Sequence, residues 1–178
     1  MNPGTPRLAP RTCIESGFTL VEMVVVVVIL AVIAALVYPR LAPSGDAELR
    51  TSARSLAASI RYLEDRAITT KTAYRMRLNL NDTTIEVFEV LSDGEEQPAA
   101  DVFLGRNLLA DGIAIADVTT SRLGKVAAGE VSLDFGPLGL GEFIVIHLTT
   151  GKERYYTVQA YPRGGRVKVF DNYSGGTL

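Results

Sequence analysis

Hydrophobic positions are spread unevenly along this chain. From Phe18 to Tyr38 every residue is apolar or small except Thr19 and Glu22. At 1.5 Å per helical residue that run reaches roughly 30 Å, the thickness of a hydrocarbon core, and it predicts one membrane-spanning helix over 18–38. Pro39 and Pro43 then bracket a stretch ending in Ser44-Gly45. Each proline removes a backbone donor and biases the residue before it away from helix, so a kink is expected at Pro39. Between about 46 and 70 the period is helical. Leu49, Ala53, Leu56, Ile60, Leu63 and Ala67 fall at alternating steps of four and three, with Arg50, Arg54, Arg61, Glu64 and Asp65 on the remaining surface. Such a stripe predicts a helix laid on a sheet.

After Thr70 the period changes to two. Tyr74, Met76, Leu78 and Leu80 alternate with Arg75, Arg77 and Asn79, a half-buried strand, and Asn81-Asp82 turns it into a second strand over 84–90. A solvated acidic loop, Asp93-Gly94-Glu95-Glu96 with Pro98, follows. Further strands are expected over 113–118, 131–135, 143–149, 154–160 and 167–170, separated by glycine-bearing turns at 136–141, 151 and 164–165. The fold class is α+β: a long N-terminal helix, half transmembrane and half amphipathic, packed on a C-terminal antiparallel β domain. The segments are 1–17, 18–38, 39–70 and 71–178.

Composition narrows the chemistry. The formal charge of the 178 residues is −2, and removal of the first 17 takes away Arg7, Arg11 and Glu15, leaving 16 basic against 19 acidic side chains, or −3. Bulk charge therefore does not favour nucleic acid. The one cysteine, Cys13, precedes the apolar run and can form no intramolecular disulfide. Catalysis needs convergent polar groups, and one histidine without a clustered acid pair does not supply them. His147 lies in strand 143–149 at opposite parity to Ile144, Ile146 and Leu148, which marks an exposed or hydrogen-bonded strand histidine. One histidine without partner cysteines cannot build a zinc site, and the acidic loop lacks calcium-loop spacing. The glycines at 136, 139 and 141 join two strands, so they form a turn and no phosphate cradle. No enzyme activity, metal, cofactor or small-molecule substrate is expected.

Glu22 carries the strongest signal, because a carboxylate within an apolar run is expensive: insertion scales charge roughly 2.5–3.5 kcal/mol for charged residues at a helix centre. Gly17-Phe18-Thr19-Leu20-Val21-Glu22 runs straight into Met23 to Val37 without a spacer. This hexapeptide resembles the prepilin processing signal of type IV pilins and type II secretion pseudopilins. The resemblance implies that 1–17 is a leader cut after Gly17 by a prepilin peptidase, that Phe18 becomes the methylated N-terminus, and that Glu22 sets register by capturing a neighbouring subunit's terminal amine. Tyr38-Pro39 also matches, a proline closing the first helical stretch, whereas Glu15-Ser16 stands where the family has a basic residue. Arg7 and Arg11 precede the anchor and Arg40, Arg50 and Arg54 follow it, so charge does not choose the orientation; the resemblance implies a cytoplasmic N-terminus and a periplasmic C-terminal domain.

The second half adds a narrower likeness. Phe135-Gly136-Pro137 with Gly139, the apolar strand 143–148 and Gly165-Arg166-Val167-Lys168-Val169 resemble the GspH/FimT minor pseudopilins and minor pilins. That implies a non-enzymatic subunit of a type II secretion pseudopilus in the bacterial inner membrane, with other pilin or pseudopilin subunits as partners. The minor-pilin branch adds a rival, DNA capture by Arg163, Arg166 and Lys168 beside Tyr161, Phe170 and Tyr173, with a lysine in place of the branch's second arginine. A second rival is a single-pass anchored periplasmic domain that is never processed.

Overall fold

The computed structural model describes residues 19–41, 45–101, 103–151, 153–164 and 166–175, with residues 36–41 as backbone alone. The chain divides between residues 42 and 43 into two units.

The first unit holds helix α1, Leu20–Leu41. Thr19 starts it: its carbonyl accepts the amides of Glu22 and Met23 at 3.1 and 3.2 Å, and its hydroxyl accepts the Glu22 amide at 3.3 Å. Thr-x-x-Glu is the sequence form of a capping box, and Glu22 falls in the first turn, where an acid suits the helix dipole. A run of β-branched residues is a mediocre helix former in water. In an apolar setting the helix is nonetheless the one single-segment form that satisfies its own backbone. Pro39, where a kink is expected, lies inside the helical span, which continues to Leu41; 42–44 lie outside the described residues. From Leu20 to Ile33 every large apolar side chain is exposed.

The second unit begins with α2, Gly45–Thr70, whose first turn carries Asp46 and Glu48. Its stripe Leu49, Ala53, Leu56, Ile60, Leu63 and Ala67 is fully buried. The buried face is wider than that stripe and includes Ser52, Ala57, Ser59 and Glu64. Glu64, expected on the polar surface, is 1% exposed. The reason is positional: it sits four residues after Ile60 and one after Leu63, at the edge of the apolar face, where two turns close over it.

The strands form two antiparallel sheets rather than one. In the first, β1 (Ala73–Asn79), β2 (Thr84–Val90), β3 (Glu96–Pro98), β6 (Glu130–Gly136) and β7 (Gly139–Leu140) lie in the order β3-β2-β1-β6-β7. In the second, β4 (Ala114–Thr120), β5 (Gly124–Val126), β8 (Ile144–Thr149), β9 (Tyr155–Ala160) and β10 (Val167–Phe170) lie in the order β10-β9-β8-β4-β5. Helix α2 packs against both, and one core runs from its stripe through Met76, Leu78, Leu133 and Phe135 to Ile144, Ile146, Leu148 and Val158.

The acidic loop is shorter than the sequence suggested, because Glu96 enters edge strand β3 and holds Arg75 at 2.6 Å and also Arg77. Pro98 closes β3 on the outer side, where a missing donor costs nothing.

Candidate functional site

The candidate sites of the sequence fall in both units. Gly17 and Phe18 lie outside the described residues. Glu22 is exposed on the first turn of α1, beside the Thr19 cap. Among the described residues no helix is long and apolar enough to cross a membrane. The part of α1 with described side chains, 20–35, measures about 24 Å at 1.5 Å per residue, against roughly 30 Å for a hydrocarbon core.

The basic turn joins β9 to β10. Arg163 occupies a left-handed conformation, φ 55°, and Arg163, Arg166 and Lys168 are all exposed; Gly165 lies outside the described residues. Lys168 pairs with Gln159 in the ladder, and its ammonium stands 5.7 Å from the centre of the Tyr161 ring. The turn is fixed from below by Glu64, whose Oε1 accepts the Gly164 amide at 3.1 Å and faces the Leu140 amide at 3.5 Å. One buried carboxylate on α2 thus ties the β9–β10 turn to the β6–β7 turn. Among the described residues its Oε2 has no partner.

His147 is 2% exposed. Parity does put it on the face of β8 opposite Ile144, Ile146 and Leu148, but the C-terminal segment covers that face. A bulge between Ile115 and Asp117 brings Asp117 opposite His147. Asp117 Oδ1 lies 2.6 Å from Nδ1, the Ser174 carbonyl 3.2 Å from Nε2, and the Tyr173 ring stacks on the imidazole at 3.8 Å. The Tyr173 hydroxyl donates to Asp117 Oδ2 at 3.1 Å, and Lys125 reaches both, 2.6 Å from the hydroxyl and 3.4 Å from the carboxylate. The Lys125 ammonium is held above its ordinary range by these two partners, Tyr173 first. The polar groups of this cluster are satisfied by one another. The cluster fastens the C-terminal segment to the second sheet.

Two further carboxylates anchor loops. Asp101 accepts the Tyr62 hydroxyl at 2.6 Å and the Phe103 amide at 2.8 Å, and both hold its pKa below the ordinary carboxylate value. Asp46 is lowered by the Arg154 guanidinium, which meets it at 2.9 and 2.7 Å. Among the described residues no three His, Cys, Asp or Glu side chains gather as a metal site.

Sequence reasoning missed the roles of Glu64 and Asp117. An acid at the i+4 position of a buried isoleucine was a readable warning for Glu64. Nothing in the alternation of 113–118 announces the bulge that aims Asp117.

Residues 14–38 match the family described as the prokaryotic N-terminal methylation motif. No curated protein matches the chain in sequence. Two structures of the minor pseudopilin EpsH from the type II secretion system of Vibrio cholerae share the fold. One has TM-score 0.59 at 16% identity, covering 75% of this chain and 100% of that one. The other has TM-score 0.54 at 17% identity, covering 70% and 97%. The type IV minor pilin FimU of Pseudomonas aeruginosa strain PAO1 aligns at TM-score 0.45 and 18% identity, covering 69% and 88%.

Proposed function

We propose that this chain, which carries the prepilin-type methylation motif on a domain with the minor-pseudopilin fold, is a minor pseudopilin of a type II secretion pseudopilus. It is cut after Gly17 by a prepilin peptidase, methylated on Phe18, held in the bacterial inner membrane by 18–38 with its β domain in the periplasm, and passed into a filament of related subunits. The observation that carries the reading is the exposure of every large apolar side chain from Leu20 to Ile33, within the segment that matches the motif. Burying a Val, Leu or Ile gains about 1.5–3 kcal/mol. That surface therefore demands lipid or other helices, and the motif indicates which kind of helix bundle receives it.

Glu22 has a defined part in this reading. Cleavage leaves a terminal amine on Phe18, and a neighbouring copy's amine can neutralise Glu22 in low dielectric, where an unpaired charge is costly. Only one axial register pairs them. The test combines intact mass of protein from a host with a prepilin peptidase, expected to begin at methylated Phe18, with filament incorporation of Glu22→Ala, expected to fail. Mature protein that keeps Met1 to Gly17 would instead identify an unprocessed single-pass anchored domain.

A second reading is DNA capture, supported by three exposed cations around one turn with Tyr161 beside them. Binding of duplex DNA would then weaken steeply with salt. Charge reversal at Arg163, Arg166 and Lys168 together would abolish it, and binding that survives the triple reversal excludes this turn.

A further inference from the structure

Helix α2 carries a second basic surface, separate from the β9–β10 turn. Arg50, Arg54 and Arg61 are exposed, and with Ala57, Tyr156, Val169, Phe170 and Asp171 they line a groove of about 770 Å³ beside strand β10. Among the described residues none of the three arginines has a carboxylate within ion-pairing distance, whereas nearby Arg154 is occupied by Asp46. Arg50 and Arg54 therefore leave two guanidinium groups open on the cleft, with Asp171 the one carboxylate in its lining.

The backbone adds the second observation. β10 is an edge strand paired only with β9. The Tyr161 amide donates to the Arg166 carbonyl at 3.0 Å, so in an antiparallel ladder Lys168 and Phe170 also face β9, and Val167 and Val169 turn their amides and carbonyls outward. The outward carbonyl of Val167 is taken by the Arg61 guanidinium. Among the described residues the outward amide and carbonyl of Val169 have no partner, and Val169 lines the groove. An unpaired donor and acceptor on an edge strand form a template for another extended backbone.

We propose that this groove receives an extended acidic segment of a neighbouring filament subunit. The segment pairs its backbone with Val169 and places carboxylates on Arg50 and Arg54. This rests on the filament reading above. A carboxylate matches the guanidinium fork in two parallel hydrogen bonds. The Val169 carbonyl asks for a donor, which a peptide amide supplies and a phosphodiester does not. A cleft of this size suits a ligand of a few residues, since small-ligand sites span about 300–1,000 Å³.

The test uses the full chain in a non-ionic detergent and a fluorescent eight-residue peptide alternating valine and glutamate, read by anisotropy. Saturable binding is expected, reduced at least tenfold in R50E/R54E and in R54Q alone, and unchanged in R163E/R166E. The valine–lysine peptide should not bind, and N-methylation of alternate peptide amides should weaken binding at least tenfold. No saturable binding of the acidic peptide overturns the proposal, and so does binding indifferent to the arginines or to amide methylation. Duplex or single-stranded DNA binding that exceeds peptide binding and disappears in R50E/R54E identifies a nucleic-acid groove instead. Leader cleavage and Glu22-dependent incorporation are scored separately, so the filament reading and the groove can fail independently.

Discussion

Gly139→Ala should be among the most damaging single-methyl additions in the β domain, and the reason lies in Glu64. Gly139 has φ +93°, a conformation that costs an L-residue about 1–2 kcal/mol. A Cβ there would stand 2.6 Å from Glu64 Oε1 and 3.2 Å from its Cγ. The carboxylate must therefore move, and being 1% exposed it cannot swing into water. Moving gives up the hydrogen bond from the Gly164 amide, worth about 1.5–3 kcal/mol as a bond to a charged group; the 3.5 Å approach to Leu140 is too long to add much. The expected cost is about 3–5 kcal/mol, a large share of a small domain's stability. Urea unfolding of the full chain in non-ionic detergent, followed by far-ultraviolet circular dichroism, measures it. The decisive form is a double-mutant cycle. In a Glu64→Ala background the cost of Gly139→Ala should fall to the backbone contribution of about 1–2 kcal/mol, leaving a coupling of about 2–3 kcal/mol. Costs that simply add, within the usual 0.5 kcal/mol or so for independent sites, would refute the clash.

Other substitutions test the remaining joints. Asp117→Ala leaves His147 Nδ1 without its buried partner and should cost about 1–3 kcal/mol in thermal or urea unfolding. It should also speed amide exchange at Ser174, because Tyr173 and His147 lose their common acceptor; an unchanged Ser174 rate would show that the C-terminal segment is held by something else. Asp101 and Asp46 titrate below the ordinary carboxylate value in the folded chain, so their stabilisation is complete above about pH 3.9 and is lost as pH falls through the lower folded values. Stability of Asp101→Asn should thus fall less steeply on acidification than that of the parent, and parallel curves would contradict the assignment. Thr19→Val removes a cap worth about 1 kcal/mol and should raise exchange at the Glu22 and Met23 amides about fivefold in detergent, with no change in α2.

The sequence made the helices and most strands legible because each has a period of its own. The stripe from Leu49 to Ala67 and the alternation from Tyr74 to Leu80 each name a buried face without tertiary information. What stayed hidden depends on contacts between elements distant in sequence. Parity told which face of β8 His147 occupies, but not that Tyr173 and Ser174 return to cover it. The splitting of the strands into two sheets was equally invisible, since antiparallel strands alternate in the same way in either sheet. Glu96 read as part of a solvated loop because Arg75 and Arg77, its partners, sit on another strand. Among the candidate residues, Glu22 stands out in the sequence because a lone carboxylate in an apolar run is conspicuous. Glu64, one acid among charged neighbours, does not.

These hidden contacts bear on how the two units divide the work. In the second unit the acids that would otherwise mark unfinished surface are closed on partners: Glu64 on two turns, Asp117 on the C-terminal segment, Glu96 on two arginines, Asp101 on Tyr62 and Phe103. The exposed large apolar side chains there are scattered, Ile68, Leu91, Leu123 and Leu138 with part of Tyr173, and isolated residues of this kind need no explanation. α1 is the reverse: its apolar side chains are exposed together over 20–33 and make few demands on one another. A free-energy deficit so localised means that the demand for an apolar partner, lipid or another helix, falls on α1 and not on the β domain. Truncating 1–41 should therefore leave a monomeric domain whose unfolding midpoint stays within a few degrees of that in the full chain. Gel filtration and thermal unfolding check this, and a truncated domain that self-associates or melts much earlier would place part of the assembly surface on the sheets.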